Sequence, residues 1–120
     1  MPLPRRTRGY LFDALNSAQA LEGFVSGKTL EDYQSSLLLR SAVERQFEII
    51  GEALNQLSQR DPIVASRISQ LREAIAFRNL LIHGYATVDH NVVWDTLHAD
   101  LPQLRKELEG LLADCSEEAT

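Results

Sequence analysis

The sequence predicts an all-α fold: an antiparallel bundle of four to five helices in one domain spanning residues 1–120. Three observations predict it. Apolar residues recur every three or four positions in four successive stretches, the period of a half-buried helix. Residue types that start and stop helices stand between those stretches. No stretch shows the strict apolar–polar alternation of a half-buried strand, and there is no internal repeat or low-complexity segment.

Residues 1–8 carry Arg5, Arg6 and Arg8 and read as a basic N-terminal tail. Leu11, Leu15, Ala18, Leu21 and Val25 then make one apolar helix face. Gly27 supplies a stop, because glycine tolerates the left-handed conformation at a helix end. Thr29 caps the next helical stretch, and Asp32, three residues on, completes a weak capping box. From Leu37 to Gln59 the stripe is Leu39, Val43, Phe47, Ile50, Leu54 and Leu57. Another face of this helix carries Glu44, Glu48, Glu52 and Asn55. That row reads as a solvated face or, alternatively, as a place where Glu52 or Asn55 lines a polar groove. Gly51 interrupts a strong helix at a cost of about 1 kcal/mol relative to alanine, which often marks close approach by a neighbour.

Asp61-Pro62 is a helix start, with aspartate as cap and proline in the first turn, where its missing N–H is harmless. Ile63, Val64, Ile68, Leu71, Ile75 and Leu80 or Leu81 continue the apolar face, with a turn between two shorter helices near Ser66 to Gln70. Gly84 terminates this segment, which puts His83 in or just past the last turn. Asp89 caps the final helical region, whose stripe is Val93, Leu97, Leu101, Leu104, Leu108 and Leu111. Pro102 must kink or split it. Trp94 reads as core or interface, and residues 116–120 as a flexible acidic tail.

The net charge of -5 and pI of about 5.1 mean that the surface as a whole repels polyanions, so nucleic-acid contact needs a local basic site. Arg5, Arg6, Arg40, Arg45 and Arg72 are the candidates. A single cysteine, Cys115, excludes an intramolecular disulfide and an all-cysteine metal site. No apolar run approaches the length of a membrane span and no secretory leader is visible, so the expected location is the cytoplasm, with no membrane partner.

The chemistry is concentrated in Phe77–Tyr85. Arg78, Asn79, His83 and Tyr85 lie within eight positions. Arginine is a planar, permanently charged donor to phosphate oxygens. Histidine moves protons near neutral pH. RNA cleavage by its own 2′-hydroxyl needs a proton acceptor, a proton donor and charge stabilisation on the phosphate, but no metal. His83, His90 and His98, at spacings of seven and eight, form no convincing metal set, so no metal and no cofactor is expected. Arg78 and His83 are five residues apart and diverge by roughly 140° on one ideal helix. Either the helix ends before His83, or a second copy of the chain completes the site. The same residues also fit a purely structural role, with His83 and Tyr85 closing a helix end and Arg78 in a salt bridge.

Arg78-Asn79-Leu80-Leu81-Ile82-His83-Gly84-Tyr85 resembles the Arg-x(4-6)-His-x-Tyr motif of the HEPN superfamily, and the wider chain resembles its HepT-like branch. Residues 42–55 are similar to the second helix of that branch, and Val93-Trp94 with Leu101-Pro102-Gln103-Leu104 to its last. The resemblance covers roughly residues 11–112. It implies a homodimeric helical bundle and a metal-independent endoribonuclease acting on RNA as the toxin of a type VII-like toxin–antitoxin pair. Arg78 and His83 would be catalytic, Arg78 holding the phosphate and His83 doing acid–base work, with Asn79 in support. The partner would be a minimal nucleotidyltransferase antitoxin that attaches AMP to Tyr85, blocking the site by bulk and negative charge. The alternative is a non-catalytic adaptor subunit that presents substrate or nucleotide to the nucleotidyltransferase.

Overall fold

The computed structural model describes residues 3–84 and 88–119, with the backbone alone for 115–119. The described residues form seven helices: α1 (Arg5–Val25), α2 (Leu30–Ser35), α3 (Leu37–Arg60), α4 (Pro62–Ala65), α5 (Leu71–His83), α6 (His90–Ala99) and α7 (Leu101–Ala119). No strand occurs among them. Five of the helices have ten residues or more, and α2 and α4 are short connectors between them.

The helix boundaries follow local chemistry. Gly27, at φ 74°, takes the left-handed position just after α1. At α2 the capping box forms in both directions: the Asp32 N–H donates to Thr29 Oγ1 at 3.1 Å, and the Thr29 N–H donates to Asp32 Oδ2 at 2.9 Å. Asp61 accepts from the Val64 N–H while Pro62 occupies the first turn of α4. Residues 66–70 form the turn that leads into α5. Asp89 accepts from the Asn91 N–H at the start of α6. Pro102 splits the last helical region, since α6 stops at Ala99 and Pro102 stands in the first turn of α7, where it displaces no helical hydrogen bond.

Two boundaries differ from the sequence reading. Helix α1 begins at Arg5, so Arg5, Arg6 and Arg8 lie on its first turn rather than in a tail. Thr7 is buried and donates to Asp61 Oδ2 at 3.1 Å, which pins that turn to the start of α4. At the other end, α7 runs on to Ala119, through most of the expected tail.

Helix α3 is the spine. Helices α1 and α5 pack along it, α7 packs on α1, and α6 bridges α2 and α7. The core consists of Leu11, Ala14, Ala18 and Leu21 of α1, Val43, Ile50, Leu54 and Leu57 of α3, and Val93, Leu101 and Leu108 of the last two helices, all at most 2% exposed. Each large apolar side chain so buried contributes about 1.5–3 kcal/mol. Leu81, and not Leu80, takes the core position on α5; Leu80 is 44% exposed. Ile63 also leaves the expected stripe for solvent. No helix among the described residues is long and apolar enough to cross a membrane.

Candidate active site

A groove of about 260 Å³ opens where α1, α3 and α5 meet. Helix α3 supplies its floor through Arg45, Glu48, Ile49, Glu52, Ala53 and Gln56, which recur once per turn, singly or as adjacent pairs, along one face. Tyr10 and Asp13 of α1 form one wall, and Arg78 and Ile82 of α5 form the other. Arg6 lies one turn before Tyr10 and two before Asp13 on the same face of α1, so it continues that wall outward.

Arg78 is placed by the residue opposite it. Gly51 is buried on α3, and a Cβ built there would sit 2.1 Å from Arg78 Cβ, 2.7 Å from Arg78 Cγ and 3.1 Å from the Ala74 carbonyl oxygen. Only glycine lets α5 approach this closely. The neighbour that Gly51 admits is therefore the arginine of the central motif. With its stem seated there, Arg78 reaches Glu52 in an ion pair of 2.8 Å, and its Nη1 donates to Asn79 Oδ1 at 2.9 Å. The Arg78 side chain keeps 25% exposure, while its Nε is buried and finds no hydrogen-bond partner in the structure.

The other motif residues fall differently. Asn79 is exposed and joined to Arg78. Helix α5 continues through His83, so the helix does not end early to swing His83 round. His83 is exposed in the last turn, about 140° round the helix from Arg78, and does not line the groove. The structure thus brings together Arg78, Asn79 and Glu52 but not Arg78 and His83 within one chain. Tyr85 lies outside the described residues.

Of the arginines proposed as RNA contacts, Arg45 lines the groove, and Arg6 stands one helical turn before Tyr10 on α1. Arg40 is turned back onto the Gln34 carbonyl, and Arg72 stands beside the α4–α5 turn. Glu52, read from the sequence as one candidate for a polar groove, does line it. Tyr10, Asp13 and Gln56 were not singled out in the sequence; their only signal is helical spacing beside the apolar stripes. Among the described residues, no three His, Cys, Asp or Glu side chains converge in a way that could hold a metal ion.

A larger cavity of about 550 Å³ lies on the other flank of α5, between Phe47, Phe77, Leu80, Leu101 and Leu104. Its walls are mainly apolar, with Glu73 and Asp100 as its only ionisable lining. Its lining has no cationic side chain to receive a phosphate, so the smaller groove beside Arg78 is the candidate site.

Comparison with known proteins gives the family. The family model described as "Ribonuclease HepT-like" matches residues 14–111. The chain is 32% identical over 109 residues to a "Probable ribonuclease HepT" of Thermococcus cleftensis, covering 91% of this chain and 98% of the relative. It is 31% identical over 109 residues to a "Putative RNase" of Methanocaldococcus jannaschii, covering 88% of this chain and 95% of the relative. A further "Putative RNase", from Caldanaerobacter subterraneus, is 31% identical over 105 residues, covering 88% and 93%. No solved structure matches the chain.

Proposed function

The chain belongs to the HepT-like ribonuclease family, and from that membership and the groove beside Arg78 we propose that it is a metal-independent endoribonuclease acting as a toxin in the cytoplasm. The observation that carries the reading is the seating of Arg78. A permanently charged, planar donor is held at the mouth of a groove by a helix contact that only glycine permits. There it binds the scissile phosphate and stabilises the charge that builds on its oxygens. The substrate's 2′-oxygen attacks phosphorus and the 5′-oxygen leaves, giving a 2′,3′-cyclic phosphate and a 5′-hydroxyl. His83 takes the proton from the 2′-hydroxyl and, as imidazolium, gives one to the departing 5′-oxygen.

His83 and Arg78 stand on different sides of α5, so the complete site takes its histidine from a second copy across a two-fold axis. A minimal nucleotidyltransferase antitoxin neutralises the toxin by adding AMP to Tyr85, two residues beyond His83, where its bulk and charge keep RNA out.

The test is RNA cleavage by purified protein in EDTA. Wild-type protein cleaves. Arg78→Ala and His83→Ala each lower the rate by about 100-fold or more, with the circular dichroism spectrum unchanged. Cleavage that survives both substitutions would end this assignment of roles. Mixing the two variants gives the dimer test: if the histidine comes from the partner, mixed dimers recover part of the activity. Intact mass after co-expression with the nucleotidyltransferase reads modification of Tyr85.

One observation favours a second reading, the non-catalytic adaptor. The groove sets Asp13, Glu48 and Glu52 against Arg45 and Arg78, so its own charge does little to attract RNA. An adaptor would keep the dimer and the partner and show neither cleavage nor growth arrest.

A further inference from the structure

Resting on the reading that Arg78 holds the scissile phosphate, we infer that Gly51 and Glu52, adjacent on α3, form a positioning pair that fixes the orientation of its guanidinium. Gly51 fixes the stem, because Arg78 Cβ and Cγ occupy the space in which any side chain at position 51 would begin. Glu52 fixes the head. Its Oε2 accepts from Arg78 Nη2 at 2.8 Å, while its Oε1 accepts from Gln56 Nε2 at 3.1 Å, so the carboxylate is itself held from the next turn of α3. Asn79 takes Arg78 Nη1 at 2.9 Å. The result is a continuous relay, Gln56–Glu52–Arg78–Asn79, running across two helices.

The relay leaves the phosphate-binding fork usable. Each terminal nitrogen of a guanidinium carries two N–H groups. Glu52 engages one on Nη2 and Asn79 one on Nη1, so one donor remains on each nitrogen for two phosphate oxygens. Glu52 and a phosphodiester are therefore not rivals for the same hydrogens. The carboxylate weakens the local positive charge, so what it contributes is orientation rather than attraction. Without it, a long side chain on a partly exposed helix face samples several rotamers, of which few present both free N–H groups to the groove.

The test uses the full chain in three forms: wild type, Glu52→Ala and Glu52→Gln. Two readouts are taken, steady-state RNA cleavage and ¹⁵N side-chain NMR of Arg78. Glu52→Ala is expected to lower kcat and kcat/KM together by about 100-fold with KM little changed, as for an interaction that orients the transition state. Glu52→Gln keeps an acceptor in the same place and recovers most of the rate. In the spectra, the Arg78 Nη groups rotate slowly and stay resolved in wild type and Glu52→Gln, and merge in Glu52→Ala. Glu52→Ala that cleaves like wild type, or whose Arg78 signals stay resolved, overturns the inference. The two readouts separate the claims. Wild-type protein that cleaves no RNA defeats the ribonuclease reading, while the spectra still report whether Glu52 pins Arg78.

Discussion

Helices α1 and α5 both lie against α3, and they are held to it in opposite ways. Helix α1 buries Leu11, Ala14, Ala18, Leu21 and Val25, together with Thr7 and Ser17, along its length. Helix α5 fully buries only Leu81; Ile75 and Phe77 are half-buried and Leu80 is exposed. Beyond it, α6 touches mainly α2 and α7. The motif residues Arg78, Asn79 and His83 are all on α5, the helix with fewer fully buried side chains. The most deeply buried side chains are in the α1–α3–α7 body, and the candidate chemistry sits on α5, which packs along α3 through Phe77 and Leu81 and meets it most closely where Gly51 faces Arg78. Elements with fewer buried apolar side chains are where binding sites are commonly found.

The strongest test of this contrast is a pair of truncations. Leu21→Ala removes a fully buried side chain from a face that cannot close around the gap. It is expected to lower the unfolding free energy by about 4 kcal/mol, against about 2 kcal/mol for Leu81→Ala, because the cost depends on how far the surroundings collapse. Urea titration of both variants measures it. Equal losses would mean that α5 is as firmly built in as α1.

Gly51→Ala probes the closest contact of α5 with α3. Alanine improves helix propensity by about 1 kcal/mol. Its Cβ would meet Arg78 Cβ, which cannot swing aside as a side-chain tip would, so α5 must move. Overpacking of this kind costs about 1–3 kcal/mol, and the net expectation is a small loss of stability with a large loss of cleavage. A variant as active as wild type would show that the seat does not set the position of Arg78.

The same contrast explains what the sequence could reveal. Helix starts at Thr29, Asp61 and Asp89 and the stop at Gly27 are local chemistry, so they were legible. So was Gly51 as a mark of close approach, and so was the 140° that parts Arg78 from His83, because both follow from spacing on one helix. The partner of Arg78 was not fixed by spacing. Glu52 is 26 residues away, and only the register of α5 on α3 brings the two together. Thr7 and Asp61 pair across 54 residues for the same reason, which is why residues 5–8 read as a tail and fold as a helix. Choosing between Leu80 and Leu81 required knowing which flank α5 turns to α3, and two adjacent leucines satisfy the period equally well. The start of α3 at Leu37 was legible too, and the structure adds its cap, Ser36, whose side chain accepts from the Leu39 N–H.

The smallest expected effect tests the packing where α6 meets α2. Tyr33 of α2 is buried against Trp94 at 5.5 Å and edge-on to His90 at 6.0 Å, and Gln34 donates to Asn91 at 2.9 Å. Glu44 of α3 lies beneath this contact. Burial pushes its carboxyl above the ordinary range; His90 on α6 pulls it back, Glu48 pushes it further up and Arg40 lowers it. The folded state therefore holds a proton on Glu44 more tightly than the unfolded chain does. That contribution to stability is fully present below the ordinary value of 4.5 and is lost as pH rises through the raised one. Glu44→Gln, which is always neutral, should be more stable than wild type at pH 7, and the advantage should vanish below about pH 4.5. Asp32 gives the opposite control on α2, since the Thr29 backbone N–H, and then its side chain, hold its carboxylate below 3.8. Its contribution is present above that value and fades as pH falls through the depressed one, so Asp32→Asn should be the less stable protein at pH 7. Urea midpoints of both variants at pH 7 and pH 4 separate the two signs. If Glu44→Gln gains nothing at pH 7, Glu44 is not desolvated in solution, and the packing around it is looser than the structure implies.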